Sequence, residues 1–233
     1  METGLDFTVV WDNLLYFMIG AYPEGPLGGI VLTIYLAVVS CFFSFWGGLI
    51  LGLMNVSRNK VIRYTSGAFV NFVRGMPLLM VIFWCYFLVP GFFGQPVGET
   101  KTVIVALSLF TSAYMSQIVK AGIESIPKGQ TEAARSSGLK LWQVMVYVIL
   151  PQGLRNMIPS FVNQFVSLIK DTSLAFIVGV SELTHVATQI NNRSFIYPTE
   201  IFIFIAVIYF ILCYIFTEFS RWLEKRLAWR KSI

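Results

Sequence analysis

Residues 25–57 form a stretch without a single Asp, Glu, Lys or Arg. A helix crosses the hydrocarbon core of a bilayer in about 20 residues, so this stretch is long enough to span it. The whole chain of 233 residues is 56% hydrophobic and only 12% charged, whereas a soluble domain carries about 25% charged residues. Because water would be a poor solvent for so apolar a chain, we predict an all-α membrane protein.

Five apolar segments have the length of a membrane span. They are residues 28–54, 64–89, 102–122, 157–180 and 200–221. Two of them contain charges: Arg74 lies in the second, and Lys170 and Asp171 lie in the fourth. The chain shows no internal repeat, and we predict that residues 1–233 form a single transmembrane domain.

The distribution of basic residues predicts the orientation in the membrane. Loops on the cytoplasmic side carry an excess of Lys and Arg. Most of the 17 basic residues lie in the loop 58–63, in the segment 120–155 and in the tail after residue 220. All three fall on one side of a five-span topology, so we predict a periplasmic N-terminus and a cytoplasmic C-terminus.

The two ends of the chain mix apolar and charged residues. Residues 1–24 include Asp6, Asp12 and Glu24, which is unlike the basic start of a cleavable secretory signal. We expect this segment to lie in the periplasmic interface of the bilayer. The tail 221–230 combines tryptophans with basic residues, and we expect it to anchor on anionic lipid.

A polar island separates the third and fourth spans, on the side predicted to be cytoplasmic. Its pattern is E-A-A-x3-G-x9-V-x-L-P, formed by Glu132, Ala133, Ala134, Gly138, Val148, Leu150 and Pro151. We expect Thr131 to cap a short helix, with Glu132 in its first turn, where the helix dipole favours an anion. Gly138 predicts a sharp bend. A second helix is expected to begin at Leu141 and to end at Pro151.

The spacing of this island resembles the coupling segment of the membrane permease subunits of ATP-binding-cassette importers. Residues 72–79, F-V-R-G-M-P-L-L, resemble the F-x-R-[GS]-x-P-L motif of the polar amino-acid uptake branch. The segments 121–130 and 171–174 also have counterparts in that branch. Within the branch, residues 84–92, W-C-Y-F-L-V-P-G-F, most resemble glutamate/aspartate permeases.

The resemblance implies the type I importer permease fold and a bacterial inner-membrane location. It implies that the coupling segment 128–151 docks on a dimeric ATPase, and that a second permease subunit and a periplasmic amino-acid-binding protein complete the importer. The chain has no G-x-x-x-x-G-K-[ST] segment, so we expect it to hold no cofactor and the partner ATPase to bind ATP and Mg²⁺. We expect the chain itself to be no enzyme.

Charges within membrane spans are candidates for function. Arg74 or Lys170 could bind the carboxylate of an amino acid, and Asp171 could bind its amine. Arg74 could instead bond carbonyls freed by a helix break at Gly75 and Pro77. Lys170 and Asp171 are sequence neighbours that diverge on a helix, so their pairing cannot be assumed.

Several uncharged polar residues within the spans are further candidates. Thr111, Tyr114 and Gln117 are spaced along one helical stripe, which could line the pathway or bond neighbouring helices. Gln164 has the same two readings. Thr172 and Ser173 could bond the substrate or satisfy a helix break.

Two other classes of function are open to a chain of this kind. A passive channel or ion-driven carrier would share the spans and the buried charges, but it would need no cytoplasmic E-A-A segment. A membrane enzyme is disfavoured, because the single histidine, His185, leaves little with which to build a catalytic or metal site. We expect His185 to be a surface residue, the three cysteines to be buried thiols, and nucleic acid to be no partner.

Overall fold

The computed structural model describes residues 6–94, 97–194 and 196–229. The first five residues of the predicted interfacial segment, residue 230 at the end of the predicted tail anchor, and residues 231–233 lie outside it. Within the described ranges the long elements are all helices. They are α1 (Thr8–Asp12), α2 (Leu14–Ile19), α3 (Gly29–Asn55), α4 (Lys60–Arg74), α5 (Leu78–Phe93), α6 (Glu99–Glu124), α7 (Lys128–Ser136), α8 (Leu141–Gln143), a π-helical segment (Val144–Ile149), α9 (Leu150–Asp171), a 3-10 helix (Thr172–Val178), α10 (Leu183–Ser194) and α11 (Pro198–Trp229).

Four helical runs in the described residues are long and apolar enough to cross a membrane. They are Gly29–Asn55, Glu99–Glu124, Leu141–Val178 and Pro198–Leu223. The first, second and fourth of these runs cover the predicted first, third and fifth spans. The predicted fourth span, 157–180, lies in the run Leu141–Val178, which begins well before it.

The predicted second span is broken. The pair Lys60–Arg74 and Leu78–Phe92 is bent by 102°, and it brings the number of spans to five if it counts as one broken span. Pro77 stands at the N-cap of α5 with an extended backbone. A proline has no N–H to give and disfavours the helical conformation in the residue before it, so the chain cannot continue as one straight helix here.

The described chain forms two compact units. The first comprises the described residues of 1–42, 77–107 and 166–216, and the second comprises 43–76, 108–165 and the described residues of 217–233. One hydrophobic cluster of the first unit is built from α1, α2, α10 and the starts of α3 and α11. Its buried members are Val9, Val10, Phe17, Ile30, Leu183, Val186, Ala187, Ile190, Ile201 and Ile205.

In the second unit, small residues let α3 lie close to α6. A Cβ added at Gly52 would lie 2.5 Å from both Cβ and Cγ1 of Val119. The Ser44 hydroxyl donates to the Ser108 carbonyl at 3.3 Å, and the Ser112 hydroxyl donates to the Ser44 carbonyl at 3.4 Å. Close backbone approach with serine hydrogen bonds is the usual way that helices associate in lipid.

The island departs from prediction at the start of its first helix. α7 begins at Lys128, and Pro127 occupies the N-cap position without a side-chain cap. The prediction that Thr131 caps this helix is therefore wrong, and Glu132 lies beyond its first turn. Proline is well suited to a helix start because its fixed φ is already helical and its missing N–H would have had no partner there.

The second helix of the island does not end at Pro151, which is a further correction. Residues Val144–Ile149 form π-helical turns, and the helix continues as α9 to Asp171. The N–H of Leu150 donates to the carbonyl of Met145, five residues back. These wider turns come directly before Pro151, and they accommodate a ring that would clash inside regular α-helix.

Candidate coupling segment and substrate-pathway residues

The six motif residues of the coupling segment differ in burial. Glu132, Ala133, Gly138 and Pro151 are exposed, Leu150 is half-buried and Ala134 is buried. Ala134 belongs to the core that also contains Val119, Ile123, Val144, Ile149 and Met157. The second alanine therefore anchors α7 to the helices behind it, while Glu132 and Ala133 remain on the surface.

Gly138 ends the first helix of the segment in the left-handed conformation, with φ 85°. Its N–H donates to the Arg135 carbonyl at 2.9 Å, and the Leu139 N–H donates to the Ala134 carbonyl at 3.3 Å. These two bonds satisfy carbonyls that the helix end would leave without partners. The bend predicted at Gly138 is present. A Cβ there would meet nothing within 4 Å, so the backbone angle is what favours glycine.

Arg74 is the last residue of α4, and its side chain lies over an aromatic ring. The guanidinium carbon is 5.1 Å from the centre of the Tyr114 ring, within the range of a cation–π contact. The carbonyls before the break accept backbone amides instead. The Gly75 N–H donates to the carbonyls of Asn71 and Phe72, and the Met76 N–H donates to that of Val73. These backbone bonds supply a donor to each of the three carbonyls that precede Arg74.

The predicted stripe of α6 separates into three environments. Thr111 is fully buried, and within the described part of the chain its hydroxyl has no hydrogen-bond partner. Tyr114 lies under Arg74. Gln117 is half-buried and lines an open cavity of about 410 Å³. Gln164 is half-buried as well.

The charged residues of the fourth span lie at the end of α9. Lys170 is exposed and lines a cavity of about 330 Å³ with Ser173, Thr184 and Tyr209. The Thr172 and Ser173 hydroxyls donate to the carbonyls of Ile169 and Lys170, both at 2.7 Å. These bonds lie where α9 passes into the 3-10 helix, and each joins a hydroxyl to the carbonyl three residues back. Asp171 is half-buried. Arg74 belongs to the second unit, and Lys170 and Asp171 belong to the first.

A buried carboxylate that the sequence reasoning missed lies at the start of α10. Glu182 is fully buried and accepts the Thr184 N–H at 2.8 Å, the His185 N–H at 2.9 Å and the Tyr209 hydroxyl at 2.9 Å. Burial raises the pKa of Glu182 to about 7, and these hydrogen bonds oppose that rise. The acid before the run L-T-H-V-A is a helix-start signal that could have revealed it. His185 is half-buried rather than on the open surface.

Comparison with known proteins agrees with these features. Residues 44–229 match the family described as the binding-protein-dependent transport system inner membrane component. The chain is 40% identical over 216 residues to the "Probable glutamine ABC transporter permease protein GlnP" of Bacillus subtilis, covering 89% of this chain and 98% of that one. It is 32% identical over 209 residues to the glutamate/aspartate import permease protein GltK of Escherichia coli O6:H1, covering 87% and 93%.

A solved structure has the same fold. The crystal structure of an amino acid ABC transporter with histidines contains a chain that matches with a TM-score of 0.84 and 29% identity, covering 96% of this chain and 100% of that one. The chain therefore belongs to the family of binding-protein-dependent inner-membrane transport components. It is an ABC importer permease of the polar amino-acid branch, as its motifs indicated.

Proposed function

We propose that this chain is the permease subunit of an ATP-driven importer of a polar amino acid, and that residues 128–151 couple it to a separate ATPase. The observation that carries this proposal is the exposed Glu132–Ala133 surface followed by the left-handed turn at Gly138. In the proposed complex Glu132 pairs with a basic group of the ATPase. Gly138 supplies the bend that lets α7 seat in a cleft of that subunit.

The remaining partners follow from the same proposal. A second permease, either a copy of this chain or a relative, completes the pathway, and a periplasmic binding protein delivers the amino acid. The importer lies in the bacterial inner membrane with its N-terminus outside, as the basic residues of the loops predict. Closure of the ATPase dimer then switches the permease pair between inward- and outward-facing states, a rigid-body change of two packed bodies.

Within the pathway, Arg74 is the residue we assign to the carboxylate of the amino acid. It is exposed and lies over Tyr114, while the N–H groups of Gly75 and Met76 donate to carbonyls in the last turn of α4. Two kinds of amino acid are candidates for the substrate. Residues 84–92 favour glutamate or aspartate, whereas the relative with 40% identity is named for glutamine.

The test is uptake by proteoliposomes that contain the complete complex and its binding protein. We expect amino-acid uptake to require ATP, which a passive channel or ion-driven carrier would not. Competition between a labelled substrate and unlabelled glutamate, aspartate or glutamine decides between the acidic amino acids and glutamine. Uptake that continues without ATP would contradict the proposed function.

Two variants test the assignment of Glu132 to the interface with the ATPase. Glu132→Arg reverses the proposed charge, and Ser136→Ala changes a neighbouring exposed residue of α7 as the matched control. We expect Glu132→Arg to abolish ATP-coupled uptake and to weaken co-purification of the ATPase, whereas Ser136→Ala leaves both intact. Unchanged uptake and assembly in Glu132→Arg would remove Glu132 from the interface.

A further inference from the structure

Two open cavities of the second unit meet along α6 and α9. One, of about 410 Å³, is lined in part by Gln117, Ser125, Asn156 and Ser160. The other, of about 360 Å³, is lined in part by Ser125, Gln152, Arg155 and Asn156. They share Ser125 and Asn156, so they form one groove, which is partly apolar at Ile118, Ala121, Ile126 and Met157. Its polar lining residues are Gln117, Ser125, Gln152, Arg155, Asn156 and Ser160.

The floor of this groove is a close contact between the two helices. A Cβ added at Gly153 would lie 3.3 Å from the Gly122 carbonyl oxygen. The side chain of Met157, which is buried, fills the space beside Gly122. Because the helices touch here, their polar side chains form the two walls of the groove.

A hydrogen-bond chain joins the two walls. The Asn156 amide nitrogen donates to the Ser125 hydroxyl oxygen at 3.1 Å, and that hydroxyl donates to the Gly122 carbonyl at 2.7 Å. With its nitrogen committed in this way, Asn156 keeps its amide oxygen as an acceptor. The two residues are 31 positions apart in the sequence.

The groove continues the face of α6 that begins under Arg74. Tyr114, Gln117, Ala121 and Ser125 are spaced by three or four residues and so share one face. From Tyr114 to Ser125 the helix rises by about 16 Å. One end of this face therefore carries Arg74 over Tyr114, and the other end reaches Arg155 at the mouth of the groove.

The charge of the lining selects the class of ligand. Among the lining residues of the two cavities, Arg155 is a cation, the others are uncharged, and Arg155 is exposed. Glu124 is the nearest acid along α6, and it pairs with Lys120 at 4.0 Å. A cation at the mouth, followed by amide and hydroxyl groups, suits an α-amino acid whose carboxylate meets Arg155 and whose ammonium or side chain meets the amide and hydroxyl oxygens.

We propose that this groove is a second amino-acid site at the cytoplasmic mouth of the pathway, where Arg155 holds the carboxylate of the substrate as it leaves. The assignment rests on the proposed function, because it takes the side of the groove from the orientation proposed there. It differs from the Arg74 assignment in its residues and in its position along α6.

The experiment measures protection of a cysteine in the groove. Cys41, Cys85 and Cys213 are first replaced by alanine, and Ser160→Cys then places one exposed thiol among the lining residues. The nucleotide-free complex is treated from the ATPase side with a charged methanethiosulfonate reagent, with and without glutamine or glutamate. We expect the transported amino acid to slow the reaction at least about threefold, and Arg58→Cys in the exposed loop between α3 and α4 to react at the same rate in both conditions.

Variants of Arg155 decide whether the amino acid sits where we place it. We expect Arg155→Gln to abolish the protection of the Ser160→Cys thiol and Arg155→Lys to retain part of it. As a matched control, Arg63→Gln removes an exposed arginine of α4 and leaves the protection unchanged. Protection that survives Arg155→Gln would show that the thiol responds to ligand bound elsewhere, and it would overturn the assignment.

The uptake and thiol-protection results together distinguish a failure of this site from a failure of the proposed function. If the complex shows ATP-driven amino-acid uptake but the Ser160→Cys thiol is never protected, the groove is no ligand site and the importer assignment stands. If no amino acid is taken up with ATP, the proposed function fails and the second site fails with it.

Discussion

Replacement of Gly52 by alanine tests the close approach of α3 and α6. The new Cβ would lie 2.5 Å from Cβ and Cγ1 of Val119 and 2.9 Å from the Ser116 carbonyl oxygen. Carbon atoms in contact lie about 3.5–4.0 Å apart, so the helices must separate by about 1 Å. The serine hydrogen bonds between the same two helices, at 3.3 and 3.4 Å, lie at Ser44, about 12 Å along α3 from Gly52. A separation that extends to them takes them beyond hydrogen-bond distance.

The magnitude combines two opposed effects. Forcing extra methyl groups into a packed contact costs about 1–3 kcal/mol, and each interhelical hydrogen bond in a membrane protein is worth about 0.6 kcal/mol. Alanine favours a helix over glycine by about 1 kcal/mol. We therefore expect Gly52→Ala to lower the stability of the protein by about 1–3 kcal/mol.

The assay heats samples of the detergent-purified protein to a series of temperatures. Size-exclusion chromatography then measures the folded fraction that remains, which gives the Tm. For a protein of this size 1 kcal/mol corresponds to about 2–4 °C, so we expect the Tm to fall by roughly 5 °C. The matched control is Gly67→Ala in α4, where the new Cβ would lie 3.6 Å from the Asn55 amide oxygen, an ordinary contact. A Tm for Gly52→Ala equal to that of Gly67→Ala would refute the packing argument.

Three further predictions concern coupling, the pathway and pH. Gly138→Val forces a β-branched side chain to φ 85° at a cost of about 1–3 kcal/mol, so ATP-coupled uptake should fall, whereas Gly138→Asn should retain most of it; equal uptake by both would show that the turn is not needed. Arg74→Ala should abolish uptake with normal assembly, and Arg74→Lys should recover part of it, since the positive charge remains; loss of the assembled complex in Arg74→Ala would mark a structural residue instead. Burial raises the pKa of Glu182 to about 7 from 4.5, so between these values the folded protein keeps a proton that the unfolded chain releases. The free energy of unfolding should therefore fall as the pH rises through this window, by up to about 3 kcal/mol. Melting curves of wild type and Glu182→Gln at pH 5 and pH 8 should show a flatter dependence in the variant, and parallel curves would contradict the assignment to this carboxyl.

The coupling segment shows how far local rules reach. The turn at Gly138 was predictable, because a left-handed residue is a local requirement that glycine meets. The end of the second helix was not. Proline argues locally for a stop at residue 151, but Val144 and Ile149 are buried in the core of the unit, and packing holds the chain helical through π turns. Here the burial of side chains outweighed a local preference.

The candidate pathway residues show what helical periodicity leaves undetermined. Periodicity grouped Thr111, Tyr114 and Gln117 on one stripe, yet one is fully buried, one lies under Arg74 and one opens on a cavity. The spacing of these residues gives only their angular position around the helix. It does not show which neighbouring helix covers each of them.

The sequence by itself determined the class of the protein, the places of its first, third and fifth apolar helices and the family to which it belongs. Those properties are local: the length of an apolar run, the position of a charge and the spacing of a short motif need no knowledge of distant contacts. The tertiary structure alone decided which polar groups meet. Ser125 reaches Asn156 because Gly122 and Gly153 let α6 and α9 touch, and Glu182 is buried against Tyr209, 27 residues away, because α10 packs on α11. Such meetings depend on how closely two helices approach, which is a property of both surfaces together and of neither segment alone.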